Sequence, residues 1–239
     1  NASQVGMAIN IHKTVQMCIN VNNQISNDNL VVNGQPIAIV DDFKYLGSYI
    51  GSTNKDIEAR IGLTWSAFAK LKPILTSPKP TVKFKMCLFK AACTSILLYG
   101  CEAWVLTQAL TAKLDKFARK CYRIMLGICQ AETHMTNTDL YRMADEHPIS
   151  EMIRERQLQF TGHCLRMPKD EPANIYVIYQ SKIRRSNRRG NPGLTYLDQI
   201  SKYLSTDKTV RFSAEEIANY AKDKQLWNLS IAVHKLPAR

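Results

Sequence analysis

No segment of the 239 residues approaches the roughly 18 consecutive apolar side chains that cross a bilayer, so no membrane partner is expected. A basic start followed by an apolar core is also missing, and the first residue is Asn. The chain is therefore expected to be intracellular, as part of a longer polypeptide. Acids are scarce: 20 Asp and Glu stand against 32 Lys and Arg, a net charge of +12. The two signs roughly balance as far as Arg60, and the excess lies beyond it. That distribution points to a polyanionic partner, nucleic acid ahead of an anionic membrane.

Seven cysteines (Cys18, Cys87, Cys93, Cys101, Cys121, Cys129, Cys164) include no C-x-x-C pair. An odd, scattered set in a chain large enough for a core excludes a disulfide scaffold, and most of these positions read as small buried hydrophobes. Cys121, Cys129, His134 and His163 match no compact zinc spacing, and no metal site is expected. Phosphate-cradling and dinucleotide glycine loops are absent, and nothing arranges Ser, His and acid as a triad. Asp41-Asp42 is the adjacent acidic pair to weigh for two-metal chemistry. It precedes a strand and has no evident third carboxylate, which favours a solvated turn.

What remains divides into two patterns. Residues 14–21 alternate, with Val15, Met17, Ile19 and Val21 on one face, which predicts a strand. Leu30-Val31-Val32, Asn33-Gly34 and Gln35-Pro36-Ile37 predict a hairpin, with Pro36 on an edge. Residues 43–50 predict a further strand. From Asn54, a candidate cap, helical spacing takes over: Ile57, Ile61, Trp65, Phe68 and Leu71 share a face, and Pro73, Pro78 and Pro80 break the chain. A second helix is predicted over about 81–98. A third starts at Thr107 and stops at Gly127, with Leu110, Leu114, Phe117, Cys121 and Met125 inward and Lys113, Lys116, Arg119, Lys120 and Arg123 outward. Further helices are predicted from Asn137 or Thr138 to before Pro148, over 150–167, over 194–204, and as one element over 213–233 with a Ser213/Glu216 capping box. Residues 174–183 are ambiguous between strand and helix. Residues 182–193 form a basic, turn-rich linker in which Arg184, Arg185, Arg188 and Arg189 are candidate phosphate contacts. The expected class is α+β, mainly α: a small antiparallel β region, then helices.

The aromatic-basic tract Phe43-Lys44-Tyr45-Leu46-Gly47-Ser48 suits a nucleic-acid strand end, because rings and a cation flank a close glycine backbone. It lies between Gly6-Met7-Ala8-Ile9-Asn10-Ile11-His12-Lys13-Thr14 and Leu97-Leu98-Tyr99-Gly100-Cys101-Glu102-Ala103-Trp104. With Cys121-Tyr122-Arg123-Ile124-Met125-Leu126-Gly127-Ile128, Arg154-Glu155-Arg156, Phe160 to Pro168 and Arg188-Arg189-Gly190-Asn191-Pro192, the series resembles the reverse transcriptase of non-LTR retrotransposons over nearly the whole chain. The likeness departs at Gln159-Phe160-Thr161-Gly162-His163, where the family often has Arg-Trp-Leu-Gly-His. It departs again at Arg189-Gly190-Asn191-Pro192-Gly193, where Arg-Gly-Arg-Pro-Arg is common. A decayed copy fits those losses.

The resemblance implies an RNA-directed DNA polymerase entered late in its palm, after the metal-binding aspartates. Residues 1–53 would be the palm end and primer grip, 54–130 the helical thumb, 131–183 a helical C-terminal region, 184–193 a basic linker and 194–239 a terminal helical segment. Lys13 would be the palm general acid. Phe43, Lys44, Tyr45, Leu46 and Gly47 would form the primer grip. The cations of the third helix and the linker would bind nucleic acid. The implied partners are RNA–DNA or DNA duplex, element RNA and an upstream palm and fingers region. The implied location is a ribonucleoprotein in nucleus and cytoplasm. No cofactor is expected on this chain, with Mg2+ expected in the intact polymerase. Two readings from other classes stand beside this one: a helical interaction or scaffold module derived from such an element, and a metal-dependent nuclease built on Asp41 and Asp42.

Overall fold

A computed structural model describes residues 9–17, 30–32, 34–182, 195–205 and 210–232. The motif residues Gly6 to Ala8, Cys18, the rest of the strand predicted over 14–21, the turn residue Asn33 and the arginines of the basic linker lie outside these. The chain divides into two compact units, Asn1–Asp56 and Ile57–Arg239. Its class is α+β, mainly α, as the residue pattern predicts.

The first unit holds three short strand pairs. Strands β1 (Val15–Gln16) and β4 (Ala38–Ile39) run parallel, where an antiparallel region was expected. Strands β2 (Val31–Val32) and β3 (Gln35–Pro36) form the predicted hairpin, with Gly34 at a φ of 79°. The span 43–50 is two strands rather than one: β5 (Phe43–Tyr45) folds back on β6 (Ser48–Ile50), pairing Phe43 with Ile50 and Tyr45 with Ser48. Leu46 and Gly47 turn the chain with φ of 47° and 89°, the all-positive geometry of a two-residue hairpin loop that matches strand twist. Glycine adopts it freely, whereas leucine does so at a cost of about 1 kcal/mol.

Helix α1 (Thr53–Leu75) starts from Ser52, whose Oγ accepts the Lys55 N–H at 3.3 Å, so Ser52 takes the capping role expected of Asn54. It runs through Pro73 instead of stopping there. Only one backbone hydrogen bond is lost, and the proline sits in the last turn. Helix α2 (Val82–Phe89), capped by Thr81, passes through a π-turn at Lys90–Thr94 into α3 (Ser95–Leu97), together filling the predicted span. A left-handed Gly100 and a 3₁₀ turn at Cys101–Ala103 lead to α4 (Gln108–Leu126), which Thr107 caps and a left-handed Gly127 ends, as expected. Then follow α5 (Gln130–Thr133), α6 (Asn137–Ala144), α7 (Ile149–Leu165) and α8 (Pro172–Lys182), the last resolving the ambiguous stretch as helix. Helix α9 (Tyr196–Leu204) starts at a Thr195/Asp198 capping box, and α10 (Ala214–Lys222) at the predicted Ser213/Glu216 box. The single terminal helix expected over 213–233 is divided. Asp223 accepts the Gln225 and Leu226 N–H groups and opens α11 (Lys224–Ala232).

Helix α7 joins two cores. Its first half places Ile149 and Ile153 in a cluster with Ile57, Phe68, Phe89, Leu114 and Tyr122. Its second half places Leu158, Cys164 and Leu165 in another with Val177, Ile200, Ile217 and Trp227. In the first, a chain of ring contacts runs Trp65–Phe68–Phe89–Tyr122–Tyr141 across α1, α2, α4 and α6, each favourable beyond its burial. Between the cores, the wholly buried Gln157 donates to the carbonyls of Cys101 (2.7 Å) and Trp104 (2.8 Å). The buried Gln199 donates to the Gln157 Oε1 and accepts the Leu106 N–H at 2.6 Å. These two amides satisfy the irregular backbone of 101–106, which no helix ladder serves. Arg156 adds a bond to the Leu98 carbonyl. Leu97 to Trp104 thus reads as a buried connector held by α7 and α9.

Burial also decides the thiols. It pushes Cys93 up to about 11 and Cys101 and Cys121 to about 12, from the usual 9.0, while Cys87 and Cys129 are exposed. At pH 8, Cys87 and Cys129 should therefore alkylate readily in the native protein, with Cys93, Cys101 and Cys121 reacting only on unfolding. Mass spectrometry of the labelled peptides checks this. Because these thiols titrate later folded than unfolded, stability should be full below about pH 9 and fall as pH climbs towards 12.

Candidate nucleic-acid interface

In the first unit, alternation along β5 puts Phe43 and Tyr45 on one face of the hairpin, with Ile50 opposite Phe43, and Lys44 on the other face opposite Tyr49. Phe43, Tyr45, Leu46 and Ile50 are all exposed, Leu46 at 75%. The ammonium groups of Lys44 and Lys55 lie 6.0 and 5.3 Å from the Tyr49 ring centroid, so the second face is cationic. Asp56 Oδ1 accepts the Tyr49 N–H at 3.0 Å and anchors β6 to the start of α1. A shallow concavity of about 270 Å³ is lined by Lys13, Thr14, Val15, Met17 and Phe43. Lys13 and Phe43, thirty residues apart in the chain, are brought to one surface. Lys13 follows a single 3₁₀ turn at Ile11–Lys13, closed by the Asn10 side chain on the Lys13 N–H.

The carboxylate pair does not assemble a metal site. Lys55 binds Asp42 in an ion pair, and among the described residues no three His, Cys, Asp or Glu side chains are placed to hold an ion. The described residues give Asp41 and Asp42 no set of ligands that fits a two-metal centre.

Four of the five candidate cations of α4 are engaged within the fold. Lys113 pairs with Glu58 at 2.7 Å, and Arg119 donates to the Tyr141 hydroxyl at 3.3 Å. Lys120 stands 5.0 Å from the Trp65 ring, and Arg123 donates to Gln130 (2.8 Å) and Asn137 (2.9 Å). Lys116 is exposed. Arg154, whose guanidinium burial holds below its usual range, donates to the carbonyls of Tyr203 and Ser230 and ties α7 to α9 and α11. Within the motif 160–168, Thr161, Gly162, Cys164 and Leu165 are buried packing residues, while Phe160 and His163 are exposed. Thr161 shares a hydrogen bond with the Tyr196 hydroxyl, Arg166 donates to the Ala221 carbonyl, and Gly162 lies under the Trp227 indole.

An open cationic surface lies elsewhere. Between Glu58 and Glu102 the sequence contains no acid at all, against Arg60, Lys70, Lys72, Lys79, Lys83, Lys85 and Lys90. Lys85 is buried and caps α4 through the Met125 carbonyl, and Lys90 pairs with Glu146. Lys70, Lys72, Lys79 and Lys83 are exposed around the α1–α2 connection, beside the exposed Ile74, Val82 and Phe84, and none has an acidic partner among the described residues. The sign of this surface was readable from the missing acids.

The chain is similar to an uncharacterized transposon-derived protein of Caenorhabditis elegans, F52C9.6. The two are 25% identical over 236 residues, covering 94% of this chain and 82% of the worm protein. No protein-family model matches the chain, and no solved structure does.

Proposed function

We propose that the chain derives from a transposon and is the nucleic-acid-binding, strand-positioning part of a retroelement reverse transcriptase. The observation that carries this reading is the end-to-end likeness to a transposon-derived protein, together with a hairpin that exposes Phe43, Tyr45 and Leu46 beside Lys13. The hairpin would seat the DNA 3′ end. Its aromatic face would pack on the terminal sugar and base, while Lys13 and Lys44 would face phosphate. Lys70, Lys72, Lys79 and Lys83 would hold duplex backbone without reading sequence. Phosphoryl transfer depends on positioning, and a strand end misplaced by about 1 Å costs roughly a hundredfold in rate. This reading gives the positioning step to these residues and the Mg2+ chemistry to carboxylates outside them. The upstream palm and fingers and the element RNA would be its partners in a nuclear and cytoplasmic ribonucleoprotein.

Photocrosslinking tests the hairpin role. A DNA primer ending in 4-thiothymidine, annealed to RNA, should crosslink within 43–50. Phe43→Ser with Tyr45→Ser should cut the yield at least about tenfold and leave duplex affinity within twofold. Crosslinks confined to other segments would remove the grip.

A second reading, a helical interaction module, has one observation in its favour. Lys113, Arg119 and Arg123 of α4 are bound to neighbouring helices. It differs in expecting no affinity for a hybrid duplex.

A further inference from the structure

The connector Leu97 to Trp104 buries its large apolar side chains and Cys101. Leu97, Leu98 and Cys101 are 0% exposed and Trp104 is 3%. Tyr99 breaks the pattern, with 48% of its surface in solvent. Behind its ring, 4.3 Å from the centroid, stands the guanidinium of Arg60, itself 7% exposed and held on α1. A second guanidinium bonds the residue that precedes Tyr99. Arg156 of α7 donates to the Leu98 carbonyl at 3.3 Å and stands 3.9 Å from Glu102.

These features make an aromatic surface that is half-exposed and cation-backed. The backbone beside Tyr99 is held, with the Leu98 carbonyl bonded to Arg156, Gly100 in the left-handed region and the Cys101 and Trp104 carbonyls bonded to Gln157. Little side-chain entropy remains to be lost on binding. A guanidinium on one side of a tyrosine ring draws π density towards itself, which favours stacking of an electron-rich purine on the opposite side. The half-exposed Arg156 supplies a donor for a phosphate or base edge.

We infer that Tyr99, backed by Arg60 and flanked by Arg156, is a stacking platform for an unpaired nucleobase next to a bound duplex. This rests on the proposed nucleic-acid role and adds a site and ligand class to it. It places base stacking on unit 2, on residues separate from the Phe43 to Gly47 hairpin.

The test compares a blunt RNA–DNA hybrid with the same hybrid carrying a two-nucleotide overhang, its first unpaired base being 2-aminopurine. Wild type should bind the overhang about tenfold tighter than the blunt end and quench the 2-aminopurine fluorescence. Tyr99→Phe should keep both effects. Tyr99→Leu, which still covers Arg60 but has no π face, should lose both while binding the blunt hybrid unchanged and melting at the wild-type temperature. Equal wild-type affinity for blunt and overhanging hybrids would overturn the platform alone, and a surface serving a protein partner would give that result. A gain that survives in Tyr99→Leu would also overturn it. Failure to bind either hybrid would overturn the nucleic-acid reading and the platform with it.

Discussion

Replacing Gly162 with alanine should lower the melting temperature by about 10 °C, and replacing it with valine should dissolve the second core altogether. A Cβ at position 162 would lie 2.3 Å from the Trp227 Nε1, 2.7 Å from Cε2 and 2.8 Å from Cδ1, distances that no relaxed contact reaches. The indole cannot step aside freely. It is 1% exposed, and its N–H donates to the Leu158 carbonyl, one turn earlier on the same helix, at 2.9 Å. Moving it breaks that bond and opens space among Leu158, Ile217, Ala221 and Ile231. Overpacking of a filled core costs about 1–3 kcal/mol, and an orphaned buried indole donor adds about 1–3 more. For a unit of this size that corresponds to roughly 10 °C. Thermal unfolding followed by circular dichroism measures it. Gly162→Ala combined with Trp227→Phe, which removes the clashing nitrogen edge, should recover part of the loss. An unchanged melting temperature in Gly162→Ala would show that the helix–indole contact is not tight.

Changing Lys70, Lys72, Lys79 and Lys83 together to glutamate should weaken binding to an RNA–DNA hybrid by at least about a hundredfold near 100 mM salt. It should also flatten the dependence of log affinity on log salt by about 3 units. Each lysine that neutralises a phosphate releases a counterion, so four lost contacts appear as slope as well as affinity. Their side chains are exposed and away from both cores, which leaves the melting temperature nearly unchanged. The matching change on α4, Lys113→Glu with Arg123→Glu, should behave in the opposite way. It breaks the Glu58 pair and the bonds to Gln130 and Asn137, so it lowers stability and moves affinity little. Fluorescence anisotropy with a labelled hybrid separates the two sets. A larger affinity loss from the α4 pair would return the interface to that helix.

Regular elements with end signals were legible in the sequence. Thr107 and Gly127 bound α4 because a side-chain acceptor and a left-handed glycine are chemically specific at those ends. Ser213 and Glu216 start α10 for the same reason. The β5–β6 hairpin was not legible as one. Leu46-Gly47 lacks the Asn-Gly or Asp-Gly pair that announces such a turn, and leucine enters its positive φ only because the surrounding structure holds it there. Pro73 misleads in the other direction, since a proline in a last turn costs one hydrogen bond and does not end the helix. The candidate site was partly readable. Lys13 and Phe43, both singled out by motif, line one concavity, whereas periodicity alone cannot tell a solvated cationic face from one bonded to Glu58, Tyr141, Gln130 and Asn137. Arg154-Glu155-Arg156 and the span 160–168 carry the family resemblance in sequence, with no role readable from the residues themselves. In three dimensions Arg154 and Arg166 bond backbone carbonyls inside the fold.

The most direct measurement is a titration of the wild-type chain against an RNA–DNA hybrid over a salt series from about 50 to 300 mM. A nucleic-acid-positioning role predicts saturable binding whose log affinity falls linearly with log salt, with a slope of about −3 or steeper from several phosphate contacts. No binding at the lowest salt, or an affinity indifferent to salt, would contradict it.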